Sequence, residues 1–524
     1  MNIVTCPSNG ASLFLSLFLL LPLPLHVSDV HRKRRLPPGP LRLPIIGNIH
    51  QLLGPKPHKT LATLAKKHGP LMTIQLGSIT TVVASTPDAA REILLRKDEV
   101  CSSRPVPDAV TALKNHDMAM LWIPPNVTWQ THRKVLRMYL TSQHNLDTLK
   151  NVRETVVEEM LDYIRVCARK KTAVDIGMMG FAFSLNQLAK TFFSQNMTSY
   201  EPEDIRRFQE VVEAAMEMMG KLNIVDMFPV LKPFDPQNIR RRAKEAFVSL
   251  EEMVEAPLNE RVKHRDSNLP RFDDVLDSML DYSEENEDEF SLKQIKIHHR
   301  MADSNARSNF GRIRRGLDDL ISCALKIVLV AGTDTIASST TWIMSELLLN
   351  PHMLLKVREE VSHIVGEDGT IEEAKTLELP YLHAVIKETL RLHAGSPLLA
   401  PHITQTEVQI GNYVVPKHTR LVVNAWAVAR DERYWENPSV FMPERFLKNK
   451  VDFKGQHFEF IPFGSGRRKC PGMPLAERML SLIVASFVYH FDWDANEEVN
   501  MDDKFGLALL KATPLVVTPQ VVTK

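Results

Sequence analysis

The stretch Phe463-Gly-Ser-Gly-Arg-Arg-Lys-Cys-Pro-Gly472 constrains this chain more than any other. One cysteine, Cys470, sits among glycines, with Phe463 before it and an apolar run of helical length, Leu475 to Phe491, after it. Each residue type has a task. Gly466 and Gly472 permit tight turns and close approach of the backbone to a bulky group, where a Cβ would collide. The positive end of the following helix favours thiolate over thiol. Phe463 can shield the sulfur from water, and the Arg468 guanidinium matches a carboxylate better than an ammonium would. A Gly-rich turn with a buried free cysteine is the plain alternative. Phe-x-x-Gly-x-Arg-x-Cys-x-Gly specifies more positions than such a turn needs, and it suits a thiolate that ligates haem iron.

On these residues the chain resembles the cytochrome P450 family, in particular its plant microsomal, geraniol 8-hydroxylase-like members. The resemblance runs from Leu36 to the C-terminus with one interruption. It implies a mainly α fold with a small β subdomain, preceded by an N-terminal membrane anchor. It also implies haem b (iron protoporphyrin IX) with Cys470 as axial ligand and Phe463, Gly466, Arg468 and Gly472 around it.

Further stretches carry the resemblance. Trp129 and Arg133 stand four apart, on one face of a helix. In isolation this is a surface pair; in the family such a pair donates to haem propionates. The run Ile321 to Val330, apolar apart from Ser322 and Lys326, leads into Ala331-Gly-Thr-Asp-Thr335. Small residues there would leave room for dioxygen, with Thr335 and Asp334 as the alcohol and acid of a proton relay. The alternative is a threonine bonded back to its own helix beside a solvated aspartate. Glu388 and Arg391 have a spacing that says nothing by itself. With Arg445 of Pro443-Glu-Arg-Phe446 they would form an ion network behind the haem, in which loss of one partner is severe. Two positions depart from the pattern. Pro401-His402-Ile403 lacks an arginine that relatives often carry, which leaves that side of the propionate grip to His402 alone. Ala394-Gly395 stands where relatives commonly have prolines.

With 524 residues and 44% hydrophobic content the chain can bury a large core. Length alone suggests several domains, whereas the resemblance implies one catalytic domain. A formal net charge of +1 supplies no field for nucleic acid. Five scattered cysteines without metal-site spacing fit a reducing compartment.

At the N-terminus, Leu13 to Leu25 is shorter than the roughly 20 residues of a full span and contains Pro22 and Pro24. Arg32, Lys33, Arg34 and Arg35 follow it. A cleaved signal would place its charges first and a small-residue cleavage site last. The reversed order indicates an anchor with the bulk of the chain on the cytoplasmic side of the endoplasmic reticulum, so Asn126 and Asn196, in glycosylation patterns, would stay unmodified. The expected layout is an anchor over 1–30, a basic and Pro-rich linker over 31–48, and a haem-thiolate domain over 49–524.

Within that domain Leu71 to Val83 reads as a hairpin, and Val408 to Val415 with Arg420 to Val423 as a small sheet. Pro105 to Trp122 would wall the substrate pocket by resemblance. Val152 to Leu280 reads as helical with a break at Met227 to Asp235, and the flanking helices would roof the pocket. His298 to Gly316 interrupts the resemblance. Ala331 stands 36 residues after Ile295, where relatives run roughly three helical turns. The segment is Arg-rich without apolar period, so it is expected as an exposed insertion, with the next helix starting near Leu317.

The expected function is hydroxylation of a small lipophilic plant metabolite, a monoterpenoid or related terpenoid, with alkaloids or phenolics next. O2 would be the oxidant. Electrons would come from NADPH–cytochrome P450 reductase, with cytochrome b5 as a further partner, since no dinucleotide-binding glycine pattern is present. Lys134, Arg137 and Lys469 would form its docking patch. Two alternatives remain: a reductase-independent isomerase or dehydratase, against which Asp334 and Thr335 argue, and an inactive haem-binding remnant disabled by the insertion.

Overall fold

The apolar run before Ala331 lies on the longest helix, Asn309–Leu349, in a computed structural model. The structure describes residues 36–522 except 114–115, 117–118, 268, 273, 286–308, 366–368 and 496. Residues 1–35, with the expected anchor and the basic cluster, lie outside the described residues, as do 298–308. Residues 309–316 are helical, so the helix starts eight residues before the expected Leu317. Arginine is a good helix former, and the segment needs no apolar stripe to continue a helix already anchored further on.

From Leu325 to Leu347 this helix is buried on nearly every side, with Trp342, Ile343 and Met344 fully enclosed, the state of a helix that is apolar all round. Among the described residues only Ser322–Leu349 is long and apolar enough to cross a membrane, and most of it is core. Its main neighbour is the helix Ile176–Phe193, capped by Asp175, whose Oδ1 accepts from the N–H groups of Gly177 (2.7 Å) and Met178 (3.2 Å). Gly180 allows the two helices to approach: a Cβ there would stand 3.1 Å from Ala337 Cα. Helices Lys150–Lys170 and Met473–His490 complete this core. Pro202–Gly220 and Ile239–Asp266 flank a short 3-10 turn at Pro229–Phe234, as the break in periodicity indicated.

The β structure is small. Strands Leu71–Leu76 and Ile79–Ala84 form the expected hairpin about Gly77, whose φ of 57° favours glycine. Arg420–Val423 pairs with Ile79–Ala84 in parallel (Thr81 opposite Arg420, Ala84 opposite Val423), and His402–Ile403 pairs antiparallel to it. Val408–Ile410 and Tyr413–Val415 form a separate hairpin about Gly411. Val516–Val521 joins Phe491–Ala495 and Val174–Asp175. The Pro-rich segment after Leu36 is laid along the first strand: Thr73 N donates to Pro38 O (2.8 Å) and Asn48 N to Gln75 O (2.6 Å).

Candidate functional site

Cys470 stands three residues before the first residue of the helix Met473–His490. Its N–H donates to Phe463 O (2.9 Å), which closes the loop between them. The N–H groups of Gly472 and Met473 reach toward the sulfur. Burial pushes the Cys470 thiol up, opposed by those N–H groups and by the charges of Arg133 and Lys469. A proton retained for lack of solvation is one that a metal cation readily replaces. Cys470 keeps open surface although protein encloses it, because that surface is the floor of an internal cavity.

The protein around the glycines constrains them as well. Gly464 and Gly466 both have positive φ, 68° and 67°. A Cβ at Gly466 would run into the carbonyl oxygen of Leu94, so the turn Glu92–Arg96 by itself requires glycine there. At Gly472 a Cβ would only touch the Cys470 sulfur, at 3.8 Å, an ordinary contact. Phe463 lines the cavity and packs edge-on against Phe453, centroids 5.3 Å apart.

Cations gather around this floor. Trp129 and Arg133 share the helix Val127–Leu136, as their spacing indicated, and Arg133 Nη1 donates to Lys469 O (2.7 Å). The Trp129 ring lies under two guanidiniums, Arg468 at 4.9 Å and Arg133 at 5.5 Å. Arg468 donates to the carbonyls of Ser102 (2.8 Å), Met120 (3.2 Å) and Ile123. His402 Nδ1 donates to Cys101 O (2.9 Å), and burial, with Arg104 and Arg468 nearby, holds the ring neutral. His402 does not stand alone on its side of the cavity, because Arg104 lies beside it. That side chain lines the cavity beside His402, donates to the carbonyls of Ala400 and Pro401 (2.9 Å to the latter), and leaves Nε without a partner. Its sequence signal was thin: one arginine in an irregular segment, ahead of Pro105.

Burial lowers Arg104 to about 9 and Arg468 to about 10, and it lowers Arg133 as well. Among the described residues none of the three is paired with a carboxylate. Three partly buried cations without a carboxylate among the described residues are costly to hold together. A group with two carboxylates and a metal for the sulfur satisfies all of them, and iron protoporphyrin IX is such a group.

On the opposite wall Ala331, Gly332 and Thr335 face the cavity, and Thr335 Oγ1 donates to Ala331 O (2.6 Å). Asp334 is buried but absent from the cavity lining. Burial raises it to about 7, Glu213 adds to the rise and Lys504 opposes it. It is therefore not the solvated aspartate of the plain alternative. The cavity, about 420 Å³, is walled by Val110, Leu113 and Trp122, as expected of Pro105 to Trp122, and roofed by Met216, Met219, Phe247 and Leu250.

Glu388, Arg391 and Arg445 meet. Arg391 grips Glu388 through two bonds of 2.8 Å, and Arg445 Nε reaches the same carboxylate at 3.0 Å. A second network also centres on one glutamate shared by two arginines and has no sequence signal. Arg153 and Arg478 share the fully buried Glu373 (Nη2 2.7 Å and Nη1 2.8 Å), and Arg478 also reaches Asp147 at 2.7 Å.

A buried thiol on an arginine-ringed floor, facing a small-residue stretch of a core helix, defines a haem-thiolate protein. The family model for cytochrome P450 matches residues 37–301 and 314–519 and passes over 302–313, within the interruption seen in the sequence. Ferruginol synthase of Isodon rubescens is 40% identical over 93% of this chain and 95% of its own length. Carnosic acid synthase of Rosmarinus officinalis is 41% identical (92% and 93%), and geraniol 8-hydroxylase of Swertia mussotii 39% identical (93% and 94%). A zebrafish cytochrome P450 solved with progesterone superposes with a TM-score of 0.71 at 23% identity, over 89% of this chain and 99% of that one. This chain belongs to the cytochrome P450 family. Its cofactor is haem with a cysteine thiolate ligand, and its fold is mostly helical with small β sheets.

Proposed function

We propose that this protein is a membrane-anchored monooxygenase that hydroxylates a terpenoid, driven by NADPH–cytochrome P450 reductase with cytochrome b5 as a further donor. One observation carries the reading: Cys470 lies at the bottom of a largely apolar cavity whose facing wall is Ala331, Gly332 and Thr335. Haem bound there supplies oxygen activation, favoured by the electron donation of a thiolate. The chain does the rest. Arg104, Arg133, Arg468, His402 and Trp129 would hold the haem propionates. The N–H groups of Gly472 and Met473 hold the sulfur as thiolate, and Phe463 keeps water from it. Asp334, near neutrality, takes up and releases a proton, and Thr335 positions it at the cavity wall. Glu388, Arg391 and Arg445 brace the segment behind. The apolar roof selects a lipophilic substrate and excludes water. Geraniol, named in one relative, is a terpenoid of fitting size and chemistry.

Membrane attachment follows from the apolar run in residues 1–30 and the basic cluster after it, with the catalytic domain on the cytoplasmic side of the endoplasmic reticulum. An exposed apolar rim supports it. Leu41, Leu43, Ile45, Val230 and Phe234 are all exposed. The backbone links Ile46 to Gly77 (3.4 Å) and Ser78 to Met227 (3.0 Å), so the two exposed segments neighbour one another. On the thiolate side, Lys469 Nζ is tied to Lys454 O at 2.6 Å, and Lys134 lies over the Tyr282 ring. The reductase face thus rests more on Arg137 than on Lys469.

The reduced, CO-bound absorption spectrum tests the site. The full chain should give the thiolate band; Cys470→Ser should lose it, while Cys101→Ser, Cys167→Ser and Cys323→Ser keep it. Turnover of a terpenoid only with NADPH and reductase supports the monooxygenase. Conversion of a hydroperoxide without either overturns it in favour of an isomerase.

A further inference from the structure

Lys326 has no place in the chemistry above, yet it lines the cavity. It interrupts an otherwise apolar helical run, and its side chain is only 9% exposed. Nζ makes one hydrogen bond among the described residues, to Glu251 Oε1 of the roof helix Ile239–Asp266, at 3.3 Å. An ammonium has three donors. The other cationic lining residues, Arg104 and Arg468, belong with the neutral His402 to the floor around Cys470. Among the described residues Lys326 is the one cation amid the apolar side chains of the upper chamber, beside Phe247, Leu250, Cys323 and Ile327. Along the helix it precedes Ala331 by five residues, roughly 7 Å of axial rise.

Enclosing a lysine is costly unless its hydrogen-bonding capacity is used. From this geometry, and resting on the terpenoid reading, we infer that Lys326, tied to Glu251, is a substrate anchor that selects terpenoids already bearing an oxygen group such as a hydroxyl. A hydroxyl oxygen accepts from Nζ, while Glu251, outside the cavity lining, holds the lysine in place. A hydrocarbon offers the lysine no acceptor. With the hydroxyl held here, the carbon presented toward Cys470 lies at the other end of the molecule. The anchor therefore sets regiochemistry as well as affinity.

The test uses the full-length holoprotein and substrate-induced haem difference spectra with matched ligands: geraniol, its methyl ether and its deoxy hydrocarbon. The variants are Lys326→Met and the double change Lys326→Met with Glu251→Leu, which removes both members of the ion pair; each is first shown to keep the CO-bound thiolate band. The wild type should bind the alcohol about tenfold tighter than the hydrocarbon, as expected for a hydrogen bond to a charged group. Both variants should reduce that preference to about twofold, leave hydrocarbon affinity unchanged and scatter the hydroxylation sites. An unaltered preference in variants with intact haem would overturn the anchor and leave the pair a helix-to-helix tie. A hydroxylated phenolic of similar size separates the two readings. If it, and no terpenoid, shows the Lys326-dependent preference, the anchor stands and the terpenoid assignment falls.

Discussion

Thr335 Oγ1 donates to the carbonyl of Ala331 at 2.6 Å, so the one hydroxyl of the Ala331–Thr335 stretch that faces the cavity is bonded to its own helix. A donor so placed leaves its oxygen lone pairs toward the cavity as an acceptor, and rotation about one bond frees the proton. Thr335→Ala should therefore fold and bind haem normally. NADPH consumption should continue while product falls several-fold and peroxide rises. Unchanged coupling would make the bond to Ala331 the residue's whole role.

Asp334 gives a pH dependence with a definite sign. Its folded value, about 7, lies above the 3.8 of a free aspartate, so the folded state holds more protons between these limits. Its contribution to stability is complete below about pH 4 and is lost as pH rises through 7. The loss is on the order of 1.4 kcal/mol per pH unit where the slope is full. Asp334→Asn should flatten that slope, measured as Tm from pH 5 to 8, and should slow turnover. A variant with the wild-type slope would show that another group titrates.

Arg104 should matter to haem retention as much as Arg133 does. Arg104→Leu removes an unpaired buried cation, so the apoprotein should be no less stable. Release of haem to an excess of apomyoglobin should be about tenfold faster or more, given hydrogen bonds between charged groups. Equal release rates would exclude it from the propionate grip.

The difference between Arg133 and Arg104 shows what the sequence made legible. Trp129 and Arg133, Glu388 and Arg391, and Asp334 and Thr335 are local patterns on helices, and helical spacing places both members of each pair. Arg104 acquires its meaning from His402, almost 300 residues away, and Gly466 from Leu94. Neither partner leaves a trace in the neighbouring sequence. The start of the long helix at Asn309 was hidden for a different reason, since its first residues carry no apolar period in the sequence from which a helix could be read.

Two glutamates, Glu388 and Glu373, are each fully buried between two arginines. Removing Glu373 strands Arg153 and leaves Arg478 with Asp147 alone, so Glu373→Leu should cost about 3–5 kcal/mol and lower Tm sharply. Arg153→Met and Arg478→Met, added together, should restore much of it. Glu388→Leu should behave likewise and should also reduce the yield of haem-loaded protein. Failure of the triple change to recover stability would assign the loss to packing.

His132 is buried with both ring nitrogens unpartnered, and burial lowers it to about 4. Its folded value lies below that of a free histidine, so the neutral ring is favourable above about pH 6.5 and stability is lost as pH falls toward 4, on the order of 3 kcal/mol. His132→Leu should raise Tm by about 2 °C at pH 7 and more at pH 5. A variant that loses stability at both pH values would reveal a partner for the ring.

The parallel pairing of Ile79–Ala84 with Arg420–Val423 sets a schedule for biosynthesis. Roughly 340 residues separate the two strands, about 17–70 s of translation at ordinary elongation rates. Throughout that interval the early hairpin emerges from the ribosome with an open edge, and its partner, like Cys470, belongs to the last stretch made. Loading of the cofactor is therefore a nearly post-translational event. A cell that makes this protein must protect an unfinished sheet and supply haem late, so expression yield should respond to haem supply at chain completion more than to its level at initiation.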